Sequence, residues 1–352
     1  MRSSWQWSWS LVPRRDGARS ARRPCTVLLV LVALLVAAGL PLLADVTSPS
    51  RAEAAVRTGP PRSDGYFHTR KVGLWKTLPS GKTCAGRVHR STWEPRRDNY
   101  VPNHRMPSVT RVHRAFRQRP VAIGGAYNKK WDSWLLQRVT GHFTGRTDEI
   151  FQWAACKWGI SDNLLRAIAV RESTWYQYDI YPSGRCVYQY SCGDILDPPT
   201  AATKTFCDML ARYGRDYQRD YSPGVCPGTF SIVGIKSWED PSWGKMPGNQ
   251  NGTFPFNRYS TAFAVDYIAS QLRGCYNGWE RWLDTTGTRA YGPGKMWGCV
   301  GAWYSGDWRT AAANDYISLV RHELVRRTWR QPGWPKDHPG CDPTYGCPRG
   351  VS

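Results

Sequence analysis

The stretch that most constrains this chain runs from Gly159 to Trp175, Gly-Ile-Ser-Asp-Asn-Leu-Leu-Arg-Ala-Ile-Ala-Val-Arg-Glu-Ser-Thr-Trp. It predicts one helix with a defined start and an acidic residue at its end. Ser161 is a good N-cap, because its hydroxyl can accept from the free backbone N–H groups of the first turn. Asp162 follows, where the positive end of the helix dipole favours an anion. Leu164, Leu165, Ile168 and Ala169 recur at helical spacing and are expected to face a core. Glu172 stands four residues after Ile168, so it points to the same side. Two readings are open for it. A carboxylate placed there loses hydration, and burial moves it toward the range useful for a general acid. The plainer reading is a solvated glutamate in a last helical turn.

The neighbouring elements are also legible. Asp148–Trp158 predicts a short helix with Thr147 as N-cap and Gly159 just past its end, which makes an antiparallel pair with the Glu172 helix. Between Trp175 and Phe230 lies a cysteine-rich insertion with Cys186, Cys192, Cys207 and Cys226 and one expected helix, Thr200–Tyr213. Asp194 within it is the candidate second carboxylate, set against an Asx-turn aspartate. Phe230–Trp238 reads as a short strand or tight turn, and Phe254–Asn257 as a loop. Ser260 caps an expected helix Thr261–Arg273 with an apolar stripe of Phe263, Tyr267, Ile268 and Leu272. Trp279–Leu283 reads as a turn of helix, and Lys295–Tyr304 leads into the stretch around Tyr304. A last helix, about Ala311–Trp329, offers Ile317, Val320 and Leu324 to the core and Arg321, Arg326 and Arg327 to water. The tail 331–352 is rich in Pro and Gly.

Three of these stretches, in this order, carry a family resemblance. The leucine-rich helix ending in Glu172-Ser173 resembles the first motif of the soluble lytic transglycosylases, a lysozyme-like family. Ser231-Ile232-Val233-Gly234-Ile235-Lys236 is similar to the family's Ser/Gly-rich turn into a short strand. Gly301-Ala302-Trp303-Tyr304-Ser305-Gly306 is similar to its Ala-x-Tyr-Asn-x-Gly helix turn. With the lead-in Ala154-Ala155-Cys156-Lys157-Trp158-Gly159 the chain also resembles a secreted actinobacterial subgroup. The resemblance covers about 148–330. It implies an α+β, mostly α, lysozyme-like helical domain, here with the cysteine-rich insertion and a basic N-terminal arm. Two positions depart from the pattern. Gly234 stands where the family has a glutamine, and Ser305 where it has an asparagine.

The first 55 residues read as a targeting segment. Arg14, Arg15, Arg19, Arg22 and Arg23 precede an apolar run from Val27 to Leu40, and Ala52-Glu53-Ala54-Ala55 offers a small-residue cleavage site. The run is short for a membrane span, so a cleaved signal peptide is expected over an anchor, and membrane contact only if the segment stays attached. Ten cysteines follow it. An even number in an exported chain argues for disulfides. The local pairs Cys186–Cys192 and Cys341–Cys347 are expected. Neither a metal nor a cofactor is expected. Histidines do not cluster with cysteines, and no Cys-x-x-Cys occurs. Asn251-Gly252-Thr253 matches a glycosylation sequon, which matters only in a eukaryotic secretory pathway.

The formal charge of +21 is unevenly placed. Residues 56–147 hold nineteen Lys/Arg against Asp64, Glu94, Asp98 and Asp132. Basic residues interleaved with aromatics fit a nucleic-acid strand, but export argues against that, and no nucleic acid is expected. Attraction to an anionic envelope polymer needs only charge. A third reading is a coil draped over the core, with its aromatics in grooves. Trp131, Trp134, Leu135 and Val139 recur at helical spacing and are expected to pack on the domain, and Cys84 must be tied to something.

The resemblance implies chemistry as well. Most glycosidases use two carboxylates, whereas a lytic transglycosylase uses one Glu, as acid and then base. The sugar's own 6-hydroxyl replaces water and leaves a 1,6-anhydro-muramic end. Glu172 would be that residue and peptidoglycan glycan strands the substrate. Ser173 would help fix its carboxylate, Tyr304 would lie in the cleft, and Ser231 has a weaker claim. Two alternatives remain open: a true lysozyme with a water held by Asp194, and a wall-binding protein on a catalytically decayed lysozyme-like fold.

Overall fold

The computed structural model describes residues 56–118, 129–177, 229–236, 251–287 and 289–334. Among these the protein is mostly helical and its cysteines are disulfide-bonded. The expected signal segment, the helix Thr200–Tyr213, Asp194 and the pairs Cys186–Cys192 and Cys341–Cys347 lie outside the described residues. Among the described residues no helix is long and apolar enough to cross a membrane.

The basic segment contributes three helices: α1 (Gly81–Ala85), α2 (Tyr100–Asn103) and α3 (Val109–Gln118). A π-helical turn follows at Trp131–Leu136. Then come α4 (Thr147–Trp158), α5 (Asp162–Ser173), a two-stranded hairpin, α6 (Phe256–Tyr259), α7 (Thr261–Tyr276), α8 (Met296–Ser305) and α9 (Ala311–Arg326). The hairpin pairs β1 (Thr229–Phe230) antiparallel with β2 (Ile235–Lys236), with Phe230 opposite Ile235.

Local chemistry sets most helix ends where the residues suggested. Ser161 Oγ accepts from Leu164 N at 3.4 Å, Ser260 Oγ from Phe263 N at 3.2 Å and Thr310 Oγ1 from Ala313 N at 3.4 Å. Gly159 ends α4 in the left-handed region, at φ 58. Thr147 departs from the expectation. It is the first residue of α4 rather than its cap, since Arg146 holds the extended backbone before the helix. Its Oγ1 instead accepts from the side-chain amides of Asn99 and Asn103, at 3.1 and 3.0 Å. Phe254–Asn257 is likewise not all loop, because α6 starts at Phe256. The last helix stops at Arg326. Arg327 turns left-handed at φ 53 and points its Nε to the carbonyl of Ser63, while a 3₁₀ turn carries Trp329.

Helix α4 packs on both α5 and α7 in a core rich in tryptophan. Trp175 is fully buried, with Phe151 at 4.9 Å and Trp334 at 5.6 Å between ring centroids. Each such aromatic pair adds ~0.5–1.5 kcal/mol beyond the area it buries. The π-helical turn lays Trp131 and Leu135 against α7 at Gly274, where any Cβ would overlap the Trp131 ring.

Several charges in this core are paired. Asp148 takes Arg166 at 2.7 Å and also Arg57, and Arg166 reaches Asp162 at 2.9 Å. Asp266 of α7 accepts from Lys157 Nζ and Trp158 Nε1, both at 2.6 Å, and from the backbone N–H of Thr140 and Gly141. Burial lowers the Lys157 pKa, and Asp266 opposes that shift.

The basic segment is fastened along its length. Cys84 is bonded to Cys156 of α4, and Cys275 of α7 to Cys299 of α8. Backbone N–H groups of Tyr66 and Phe67 donate to Asp162, and that of Ser91 to Glu149 at 2.7 Å. Asp162 therefore serves the segment as well as the start of α5. The described residues, from Val56 onward, belong to one compact unit.

Candidate functional site

Helix α5 ends in an unusual turn. Thr174 and Trp175 are both left-handed, at φ 54 and 70, a conformation that costs a non-glycine residue ~1–2 kcal/mol. Contacts from the basic segment hold it. Arg96 Nε donates to the Thr174 carbonyl at 2.9 Å, and Asn99 Nδ2 to the Trp175 carbonyl at 2.6 Å. The Trp175 indole N–H reaches back to the Arg166 carbonyl at 3.0 Å. The turn leaves Glu172 half-buried at the rim and Ser173 buried behind it.

The hairpin turn Ser231–Gly234 lies over that helix end. Ser173 Oγ donates to the Ile232 carbonyl at 2.9 Å, so this hydroxyl anchors the turn beside Glu172. Gln177 completes the attachment: its Oε1 accepts from Ile232 N at 3.1 Å and its Nε2 donates to the carbonyls of Asn257 and Arg258. Ser231 shapes the turn from within. Its carbonyl accepts from Gly234 N at 3.1 Å and its Oγ from Val233 N at 3.4 Å.

Gly234 is where the turn meets the acid. Its φ of 62 favours glycine, and a Cβ there would overlap Glu172 Oε2. A glutamine at this position would therefore have to displace the carboxylate. Gly234 and Glu172 fit one another as they stand.

The other face of the carboxylate belongs to α9. Tyr316 is buried, and its hydroxyl donates to Glu172 Oε1. Burial, and then the Glu172 charge, push the Tyr316 phenol well above its ordinary value, so it stays a neutral donor. Tyr304 of α8 stacks flat on Tyr316, 4.6 Å between centroids and 2° between planes, and is 59% exposed. The sequence pointed to Tyr304, but the hydrogen bond to the acid comes from Tyr316. Ser305 turns away, closing the end of α8 through Gly301 and Asp307.

The structure thus gathers Glu172, Ser173, Ser231, Gly234 and Tyr304 into one place and adds Tyr316 and Gln177. Tyr316 had one faint signal, its position four residues before Val320 on the apolar stripe of α9. Gln177 had none. Among the described residues no group of three His, Cys, Asp or Glu side chains is placed to hold a metal ion. Among the described residues the assembled site offers one carboxylate with a neutral donor and an exposed aromatic face beside it.

Comparison of the chain with models of known families, with curated proteins and with solved structures found no match.

Proposed function

We propose that the protein is an exported peptidoglycan lytic transglycosylase on a lysozyme-like helical domain, with Glu172 as its catalytic acid and base. The observation that carries the proposal is the seat of Glu172. Its carboxylate stands half-buried between the Gly234 turn and the Tyr316 hydroxyl, next to the open face of Tyr304. The reading of a single-carboxylate transglycosylase over a two-carboxylate hydrolase rests on the resemblance of the three motifs.

In this reading a glycan strand lies across the exposed Tyr304 ring. Protonated Glu172 gives its proton to the glycosidic oxygen as the bond from the muramic C1 breaks and positive charge develops at the ring. The carboxylate left behind is the species that Tyr316 stabilises, since a hydrogen bond to a charged acceptor is worth ~1.5–3 kcal/mol. Glu172 then takes the proton of the 6-hydroxyl as that oxygen attacks C1. The acid is regenerated and a 1,6-anhydro end is released. Neither a metal nor an added nucleophile enters the balance.

The test is mass spectrometry of soluble fragments from bacterial sacculi treated with the purified protein, with Glu172→Gln in parallel. Anhydro-ended muropeptides, absent with the folded mutant, are expected. Reducing ends would instead make the protein a hydrolase and direct attention to Asp194. Silence from both proteins would leave wall binding as its role.

A further inference from the structure

The basic segment divides into two kinds of cation once its contacts are seen. Arg57, Arg90, Arg96 and Arg138 are spent on the fold, through Asp148, Glu149, the Thr174 carbonyl and the Lys157 carbonyl. Helix α3 is different. Val112 and Phe116, four residues apart, are buried against the domain, with Phe116 facing Phe263 and Tyr267 of α7. Arg111, Arg114 and Arg117 stand exposed on the rest of its surface. None of the three makes an ion pair, a hydrogen bond or a ring contact among the described residues.

This arrangement is costly for an isolated helix. Arginines three residues apart rise by about 4.5 Å per step and repel one another. Arg111 sits in the first turn, where the dipole favours an anion, and α3 has no acidic residue at all. An anionic partner along the ridge would relieve both. All three are arginines, whose planar forks match the paired oxygens of a phosphate or a carboxylate.

The place of α3 adds the second element. The backbone of Ala115 lies against Gly252, where a Cβ would stand 2.8 Å from the Ala115 carbonyl oxygen. The neighbouring Asn251 side chain donates to the Lys236 carbonyl of β2. That hairpin carries Gly234, which touches Glu172. The backbone of α3 therefore packs beside the segment that is bonded to the hairpin.

We infer that Arg111, Arg114 and Arg117 form a docking ridge for a phosphodiester-linked anionic polymer of the cell wall, which holds the protein where its glycan substrate lies. The choice of a wall polymer rests on the proposed wall-cleaving function, but the ridge is measured by binding alone.

The experiment is titration of the full chain with purified poly(glycerol phosphate) wall polymer at several salt concentrations. The variants are R111Q/R114Q/R117Q and an equal-charge control, K71Q/K82Q/K129Q, whose lysines are also exposed. Unchanged thermal melting would certify the fold of each. The ridge variant should bind at least tenfold more weakly than the parent, with the slope of log affinity against log salt reduced by roughly 2, about 0.7 per lost contact. The control should lose less than about threefold. Equal losses in the two variants would overturn the inference in favour of diffuse charge. Absence of binding by the parent would overturn it outright, as would equally tight, ridge-dependent binding of duplex DNA. Glu172→Gln should keep full polymer binding whether or not wall cleavage is found, so the ridge and the catalytic reading fail separately.

Discussion

The hydroxyl of Tyr316 donates to the carboxylate of Glu172 across 144 residues of sequence. Two features make this contact more than packing. Tyr316 is held from the other side by the flat stack of Tyr304, so its ring has little freedom to turn. Its raised pKa also keeps the proton on the phenol, so the bond always runs toward the acid.

Tyr316→Phe removes that donor and keeps the ring. On the proposed mechanism kcat should fall by roughly 10- to 100-fold, the equivalent of ~1.5–3 kcal/mol for a charge-assisted bond. KM should change little, because the lost group touches the acid and not the sugar. Steady-state kinetics on soluble glycan strands would read the split. A melting temperature within a few degrees of the parent would separate it from loss of fold.

Gly234→Ala tests the opposite face. The new methyl meets Glu172 Oε2, and a left-handed alanine costs ~1–2 kcal/mol. Denaturant melts should show a loss of that size, and turnover should fall more than the stability loss explains, since the carboxylate must move. Unchanged turnover would mean that the turn does not set the acid's position.

Asp266→Asn should be the most damaging conservative change in the core. It leaves Lys157, 2% exposed at its side chain, without its counter-charge, and such breaks cost ~3–5 kcal/mol. Asp266 also receives two backbone N–H groups and an indole. Equilibrium urea unfolding measures the loss. Lys157→Met with Asp266→Asn should recover part of it, because the buried charge is then gone.

Glu280 gives a pH prediction. Burial raises its pKa from 4.5 to about 8. In the folded protein it therefore keeps a proton that the unfolded chain releases above 4.5. Its contribution to stability is full below about pH 4.5 and is lost as pH rises through 8. Glu280→Gln should remove this part of the slope. The urea midpoint of the parent should fall relative to that of the variant between pH 5 and 8, whereas parallel curves would contradict the burial of that proton.

The starts of α5 and α7 were legible because they depend on atoms within one turn, whereas α7 runs on past the expected Arg273 to Tyr276. Ser161 and Ser260 each cap a backbone N–H three residues on. The apolar stripes of both helices are buried as their spacing implied. Thr147 failed as a cap for the opposite reason: Asn99 and Asn103, more than forty residues earlier, claim its hydroxyl. The basic segment was legible as charge but not as architecture. Its Asn99, Arg96 and Cys84 find partners only when α4 and the end of α5 are already in place.

What the sequence determined by itself is a capped helix that stops just after an acid, a turn-forming stretch after it, and an aromatic at the end of a further helix. Each is written in spacing and residue type, because caps, turns and stripes are satisfied locally. The tertiary structure alone decided what surrounds the acid. That Tyr316 rather than Tyr304 donates to Glu172, that Gly234 leaves room for its carboxylate, and that Gln177 ties the turn down follow from how α5, α9 and the hairpin pack. A buried carboxylate takes its partners from whichever elements cover it, and that choice is made by the packing of the whole core.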